Sequence, residues 1–162
     1  MILVVLGTWG MPFARPLAEI EGLLASGRLT GPVLVQCGHT NFATSRMTLT
    51  PFFERDVLER QYEEASLVIC QAGVGSIMLG LRKGRKVIAI ARRRQFDEHI
   101  DDHQTEILDV FSKSGFILPW AGTGDLAEVL DRAADFTPAR YPFGEERISA
   151  AILDYLEAAV PR

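Results

Sequence analysis

The sequence predicts a single Rossmann-like α/β domain over residues 1–162, in which a parallel sheet is covered by helices on both faces. Short, β-branched apolar runs alternate with amphipathic helical patterns along the chain. The apolar runs are continuous, as expected for strands that are buried on both faces. The chain also has the length of one ordinary domain, with 48% hydrophobic and 23% charged residues.

The first half of the chain supplies three predicted strands and two predicted helices. Residues 2–6 are predicted to form a buried strand, followed by a helix over 12–25. The apolar stripe of this helix consists of Phe13, Leu17, Ile20 and Leu24. A strand over 33–36, a short strand over 47–51 and a helix over 57–65 follow.

The second half continues the alternation. It contains a strand over 67–70, a helix over 76–83, a strand over 87–91, a helix over 99–113, a strand over 116–118, and helices over 125–134 and 145–159. The residues of the 99–113 helix predicted to face the sheet are Ile100, Ile107, Leu108 and Phe111. Gly115 is predicted to end that helix at C′. The helix over 145–159 is a candidate surface for docking a partner.

Composition and charge exclude several classes of protein. The net charge of −4 argues against a nucleic-acid partner, which usually requires a basic excess. No apolar run approaches the roughly 20 residues of a membrane span. Cys37 and Cys70 match no zinc or redox spacing and are expected to be core thiols. We therefore expect a cytoplasmic protein that reaches a membrane only through a partner.

Two glycine-containing segments are expected at the carboxyl edge of the sheet, where open α/β sheets bind ligands. Residues 7–13 (GTWGMPF) follow the first strand and form either a tight turn or an anion-binding loop. Residues 71–76 (QAGVGS) join a strand to a helix, and their glycines would let a phosphate approach the backbone closely. Ser76 could cap that helix or donate a hydrogen bond to a phosphate oxygen.

A third segment at the same edge is polar throughout. Residues 92–104 (RRRQFDEHIDDHQ) begin with three arginines, which either clamp a diphosphate or lie in a solvated loop. Asp101 and Asp102 suit the start of a helix in any protein. His103 and Gln104 offer the donors and acceptors that a polyhydroxylated ligand requires.

The histidines of this segment also have a spacing seen in metal sites. His99 and His103 are four residues apart, which places them on one face of a helix. The sequence positions no third ligand beside them. The sequence therefore predicts no metal site.

Three stretches, taken together, resemble a known family. They are residues 4–8 with Pro12 and Phe13, residues 65–76 (ASLVICQAGVGS) and residues 96–104 (FDEHIDDHQ). In this order and spacing they resemble the carboxyl-terminal half of GT-B glycosyltransferases of family 28. Within that family the chain is most similar to the small catalytic subunits of two-component enzymes. These are the dolichol-diphosphate GlcNAc transferase and the PssE-type enzymes of bacterial exopolysaccharide or capsule synthesis.

The resemblance implies the strand order 3-2-1-4-5-6, with a UDP-sugar donor at the carboxyl edge. The turn over 73–76 would meet the donor diphosphate, and the segment around Phe52 would lie along the uracil. His103 and Gln104 would meet the sugar hydroxyls. The donor-binding residues predicted in this way are Gly7, Thr8, Phe52, Gln71, Gly73, Val74, Gly75, Ser76, Arg94, His103 and Gln104.

The mechanism implied by the resemblance is an inverting transfer that needs no metal or other cofactor. Charge on the leaving UDP would be stabilised by helix amides and arginine. The general base would be Asp101, His99 or a residue of the partner. The implied partner is a membrane-associated, acceptor-binding subunit that presents a lipid-linked acceptor at the inner face of the membrane, since the chain accommodates only the donor half. No nucleic acid is implied.

The sequence departs from the family pattern at three positions. Many relatives have histidine where Trp9 and Gln71 stand, and relatives in the wider family often have a ribose-binding glutamate where Leu79 stands. These departures leave a non-catalytic, nucleotide-sugar-binding regulatory subunit as an alternative. A Rossmann oxidoreductase is a second alternative, but the absence of GxGxxG after Leu6 counts against it.

Overall fold

A computed structural model describes residues 1–144, which form one six-stranded sheet with helices on both faces. The strands are β1 (Ile2–Val5), β2 (Val33–Gln36), β3 (Thr48–Thr50), β4 (Leu67–Gln71), β5 (Lys86–Ile90) and β6 (Leu118–Trp120). The helices are α1 (Arg15–Ala25), α2 (Arg55–Glu64), α3 (Val74–Arg82), α4 (His103–Lys113) and α5 (Leu126–Asp135). The predicted helix over 145–159 lies outside the described residues.

All neighbouring strands are parallel, and their order is β3-β2-β1-β4-β5-β6. The predicted order is therefore confirmed. The chain runs outward from β1 to β3 and then returns to place β4 on the other side of β1. The loops that follow β1 and β4 consequently diverge, and they open a crevice at the carboxyl edge of the sheet.

The core has two layers, one on each face of the sheet. Leu17 of α1 and Val129 of α5 pack on one face, against alternate strand residues such as Val4. Tyr62 of α2 and Ile77 of α3 pack on the other face. Because side chains alternate along a strand, each short apolar run serves both layers.

Helix α4 starts four residues later than predicted. The structure places His103 as its first residue, and Ile100, which we expected to face the sheet, is 63% exposed. The side chain of Asp101 accepts a hydrogen bond from the His103 N–H at 3.2 Å, and Asp102 accepts one from the Arg94 N–H at 3.0 Å. Aspartate side chains that bind nearby backbone groups favour loops over helix interiors, which explains the later start.

The end of α4 is as predicted. Gly115 has a φ of +71°. The Phe116 N–H donates to the Phe111 carbonyl at 3.1 Å, and the Gly115 N–H donates to Ser112 at 2.9 Å, which is the Schellman pattern. The sequence predicts the last strand over 116–118, whereas the structure places it at Leu118–Trp120. The chain must first leave the turn at Gly115 before it can pair with β5, and that pairing begins at Leu118.

Two further sequence expectations concern the cysteines and the membrane. Cys37 and Cys70 are both free and buried, as predicted. Within residues 1–144, no helix is long and apolar enough to cross a membrane.

The loops at the carboxyl edge are held together by the guanidinium of Arg92, which is 1% exposed. Its nitrogens donate to the Leu6 carbonyl at 2.9 Å, the Met11 carbonyl at 2.7 Å and the Glu98 carbonyl at 3.0 Å. Its Nε donates to Oε1 of Gln71 at 3.0 Å. One side chain thus joins the loops that follow β1, β4 and β5.

Aromatic and acidic groups around Arg92 complete this arrangement. Its guanidinium carbon lies 4.7 Å from the centre of the Phe13 ring. Burial lowers the pKa of Arg92 to about 10, and the Glu98 carboxylate opposes that shift, so the group stays protonated at neutral pH. The Glu98 side chain itself forms a two-bond ion pair with Arg15, at 2.9 Å and 2.7 Å.

We predict that Gly80→Ala destabilises the fold, whereas Gly22→Ala in α1 stabilises it. A Cβ at Gly80 would lie 2.6 Å from Cγ2 of Val87, and overpacking of this kind costs about 1–3 kcal/mol, which outweighs the gain in helix propensity. A Cβ at Gly22 meets nothing within 4 Å, so only the gain of roughly 0.5–1 kcal/mol remains. Urea unfolding of both variants measures the difference, and equal stabilisation would contradict close packing of α3 on β5.

We predict that Arg92→Met lowers the free energy of unfolding by about 2–5 kcal/mol, because several buried carbonyls lose their donor. Arg94→Met is the matched control, since Arg94 is exposed and its substitution should change stability by less than about 0.5 kcal/mol. Urea denaturation monitored by circular dichroism gives both values. Similar small losses for the two variants would show that Arg92 does not hold the loops.

Candidate functional site

A cleft of 280 Å³ opens at the carboxyl ends of β1 and β4. It is lined by Val5, Gly7, Thr8, Gln36, Leu58, Tyr62, Gln71, Gly73, Gly75, Ser76 and Leu79. None of these residues carries a formal charge at neutral pH. The structure therefore brings together six of the predicted donor-binding residues: Gly7, Thr8, Gln71, Gly73, Gly75 and Ser76.

Glycine is required where three loops meet at the floor of this cleft. Gly7 has a φ of +81°, and a Cβ there would lie 2.2 Å from Nε2 of Gln71. Gly38, with a φ of +58°, would place a Cβ 2.6 Å from the Gly7 carbonyl oxygen. The backbones after β1 and β2 thus approach each other closely, and Gln71 packs directly on them.

The turn after β4 ends at the exposed first turn of α3. Gly73 is the N-cap of α3 and no side chain caps the helix, so of the two roles considered for Ser76 the structure excludes capping. Ser76 lies inside the first turn instead, and its carbonyl accepts a hydrogen bond from the Tyr62 hydroxyl at 3.2 Å. The first N–H groups of a helix have no partner within the helix, and together with the dipole they favour an anion.

Two glutamine side chains connect this turn to the segment after β5. Gln104 is 5% exposed, and its Oε1 accepts a hydrogen bond from the Arg92 N–H at 3.0 Å. Its Nε2 donates to Oε1 of Gln71 at 3.2 Å. The sequence suggested that a ligand would use these amide groups, but in the free protein they serve a buried polar network.

A second group of side chains stands beside the cleft and contains His99, Asp101 and His103. Oδ1 of Asp101 lies 3.0 Å from Nδ1 of His99 and is hydrogen-bonded to Nδ1 of His103. The His99 ring is buried and stacks on Trp9, with ring centres 4.6 Å apart. The hydrogen bonds from the His103 side chain and backbone lower the pKa of Asp101. Tertiary structure thus supplies the third metal-type ligand that the sequence did not position.

The remaining predicted site residues surround these two groups. Phe52 is 46% exposed and lies against Gly38 and the ring of His39. Val74 is half-exposed at the first position of α3. Arg94 is exposed in the loop after β5 and does not line the cleft.

The three consecutive arginines have three different environments. Arg92 is buried, so neither a solvated loop nor an exposed diphosphate clamp describes it. Nε of Arg93 lies 3.1 Å from Oδ1 of Asp102. The Arg94 N–H, and then the Arg93 guanidinium, lower the pKa of that carboxyl. The position of Arg92 directly after a buried strand is the sequence signal that could have revealed its burial.

A larger groove of 850 Å³ adjoins the cleft along α2 and α3. It shares Leu58, Gly75 and Leu79 with the cleft. Away from these residues it runs past Lys83, which is held by Glu59 at 3.4 Å and by Glu63 at 2.6 Å. We assign the ligand to the smaller cleft because that is where the glycine turn and the crevice between β1 and β4 coincide.

Comparison with known proteins agrees with this architecture. A UDP-N-acetylglucosamine transferase subunit ALG13 from Kluyveromyces lactis is 34% identical over 84 residues, which are 50% of this chain and 40% of the relative. The chain thus spans less than half the length of that relative.

Two solved structures share the fold. The glycotransferase of kitacinnamycin has a TM-score of 0.64 and 17% identity, over 99% of this chain and 43% of its own. The solution structure of ALG13 has a TM-score of 0.55 and 18% identity, over 91% of this chain and 93% of its own.

The family assignment follows from the match over almost the whole chain. Residues 1–151 match the glycosyltransferase family 28 C-terminal domain. The sheet order and the crevice at its carboxyl edge are those that the resemblance of three short stretches implied. This chain therefore belongs to glycosyltransferase family 28 and represents its C-terminal domain.

Proposed function

We propose that the chain is the donor-binding, catalytic subunit of a two-component inverting glycosyltransferase. In this role it moves a sugar from a UDP-sugar to a lipid-diphosphate-linked saccharide in exopolysaccharide or capsule synthesis. The observation that carries the proposal is the uncapped glycine turn of α3 in the cleft beyond β1 and β4. Family membership supports glycosyl transfer, and the name of the fungal relative supports UDP-N-acetylglucosamine chemistry and a subunit organisation.

The diphosphate of the donor fits the start of α3. Gly73 and Gly75 leave the backbone N–H groups accessible, and the cleft contains no carboxylate that would repel a phosphate. As UDP leaves, these amides would stabilise the developing negative charge without a metal. Arg94, which is exposed outside the cleft, would add to this only by turning toward the phosphates. Phe52 would pack along the uracil, while Gly7 and Thr8 border the site.

The proton acceptor is proposed to come from the group beside the cleft. The lowered pKa of Asp101 makes its carboxylate a weaker base, which favours the imidazole of His99 as the acceptor. Asp101, 3.0 Å from Nδ1 of His99, would then orient that ring, which Trp9 already holds by stacking. His103 would contact the sugar hydroxyls from the start of α4, and the donor would have to replace the Gln71–Gln104 hydrogen bond to reach Gln104.

A second subunit is proposed to cover the carboxyl edge. Five of the six large apolar side chains exposed within residues 1–144 lie in loops or at a helix start on this edge: Trp9, Phe52, Val74, Phe96 and Ile100. Exposed apolar side chains concentrated beside a ligand site mark interaction surfaces. The cleft is also open to solvent, and its volume of 280 Å³ lies just below the range of roughly 300–1,000 Å³ that is typical of ligand pockets.

The partner is proposed to be the membrane-associated, acceptor-binding subunit. A lipid-linked acceptor lies at the bilayer surface, and the described helices offer no span that would bring this chain there. The partner would therefore hold the chain at the inner face of the membrane and present the acceptor to the apolar edge.

We predict that Gly75→Ala weakens UDP binding by about tenfold while the fold is retained. A Cβ at Gly75 meets no protein atom within 4 Å, so it would occupy space at the cleft that the phosphate needs. Alanine is also the better helix former at this position. Calorimetric titration with UDP measures the loss, and ADP and GDP should bind the unchanged protein more weakly.

Gly10→Ala is the matched control for this substitution. A Cβ at Gly10 also meets nothing within 4 Å, but Gly10 does not line the cleft. Its UDP affinity should equal that of the unchanged protein. Equal affinities for all three proteins would remove the start of α3 from the donor site.

We predict that the chain transfers sugar only together with the acceptor-binding subunit. The assay uses the purified full chain with a panel of UDP-sugars and a lipid-diphosphate-saccharide, with and without the partner. Transfer by the pair alone supports the proposal, and robust transfer by the isolated chain contradicts the two-component arrangement. UDP binding without transfer by the assembled pair would instead favour the regulatory subunit.

A further inference from the structure

We propose that His99, Asp101 and His103 form a binding site for a divalent first-row transition metal ion such as Zn²⁺. One ligand atom of each residue lies within 4.8 Å of those of the other two. Two imidazoles and one carboxylate are a donor set that binds such ions while leaving coordination positions open. The inference concerns metal binding by the chain itself and does not depend on the proposed transfer reaction.

The geometry requires only a small adjustment to admit an ion. Nδ1 of His99 and Oδ1 of Asp101 are 3.0 Å apart, and Nδ1 of His103 bonds to the same oxygen. Ligand atoms about 2.1 Å from a tetrahedral ion lie about 3.4 Å from each other. A short withdrawal of the carboxylate from the two imidazoles would therefore open the space that a metal ion needs.

The ligands are also preorganised to different degrees. The His99 side chain is only 7% exposed, and its ring is fixed by the stack on Trp9. The neighbouring Glu98 is anchored by Arg15. His103 is the first residue of α4, and its side chain, like that of Asp101, is about half exposed, so an ion can approach from solvent.

The charges nearby leave Asp101 available to an ion. The Arg93 guanidinium and the Arg94 N–H bind Asp102, while the side-chain partners of Asp101 are the two imidazoles. The buried thiols do not compete, because burial raises the pKa of Cys70 to about 12 and also raises that of Cys37. Transition-metal ions bind thiolates rather than buried thiols.

Metal binding at this site would prevent the proposed base, His99, from accepting a proton. A bound ion takes up the imidazole and carboxylate lone pairs that would otherwise accept a proton. The ion is therefore expected to inhibit transfer by the assembled enzyme.

The test is a calorimetric titration of the tag-free, chelator-treated full chain with ZnCl₂ at about pH 7.5, because protons compete with a metal ion for the ligand atoms at lower pH. We expect one equivalent to bind. Asp101→Asn and His103→Ala should each weaken binding by at least about tenfold, since even outer-shell substitutions reach that size. His39→Ala is the control, because His39 is the third histidine of the chain and lies outside the group.

Trp9 provides a second readout of the same site. Co²⁺ should quench the fluorescence of Trp9, because its ring stacks on a ligand. Trp9→Phe should remove most of this quenching, leaving the signal of Trp120, while Zn²⁺ binding by calorimetry persists. Three results would overturn the proposal. They are no Zn²⁺ binding at all, binding that survives both Asp101→Asn and His103→Ala, and loss of binding in His39→Ala. These measurements need no partner or sugar donor, so they can fail or succeed independently of the transferase assay.

Discussion

The burial of one guanidinium determines the shape of the carboxyl edge. The loops that follow β1 and β5 leave the sheet there, and backbone carbonyls of both loops bind this buried group. Arg92 supplies donors to the carbonyls of Leu6, Met11 and Glu98 and to the side chain of Gln71. A planar group with five donors can satisfy such a divergent set, whereas an ammonium group cannot. The relative placement of the loops after β1, β4 and β5 therefore depends on this residue.

The same network lies between two chemically different groups that a sugar donor would need to meet together. On one side, the glycine turn of α3 offers backbone amides in a cleft without formal charge. On the other side, Asp101 is ionised and hydrogen-bonded to an imidazole. The Gln71–Gln104 hydrogen bond of 3.2 Å joins the two sides. The proposed anion site and the proposed proton acceptor can thus lie side by side without a carboxylate inside the cleft.

The edge that holds these groups is open and apolar at its rim. Exposed Trp9 and Phe52 lie in loops at the same edge as the cleft, which is open to solvent. Excluding water from such a site would strengthen the electrostatic interactions of the proposed transfer. This is the physical reason for proposing a covering subunit. In the described chain, Asp101 and His103 are about half exposed while His99 is buried, so the proposed metal site is open to solvent on one side.

The sequence by itself determined the sheet, its parallel order and the glycine turn. The alternation of apolar runs with helical patterns predicted the parallel sheet, and the family resemblance implied its strand order. The position of residues 71–76 between a strand and a helix placed the glycine turn at the carboxyl edge. The sequence did not determine the start of α4, because the Asp101 side chain accepts the His103 N–H and the Asp102 side chain accepts the Arg94 N–H, and such side-chain bonds favour a loop where periodicity predicts a helix. Nor did it predict which of the three consecutive arginines is buried, because their side chains are identical and only their surroundings differ. Only the tertiary structure buries Arg92 and brings Asp101 between two histidines, because burial and side-chain direction depend on loops that meet across the sheet.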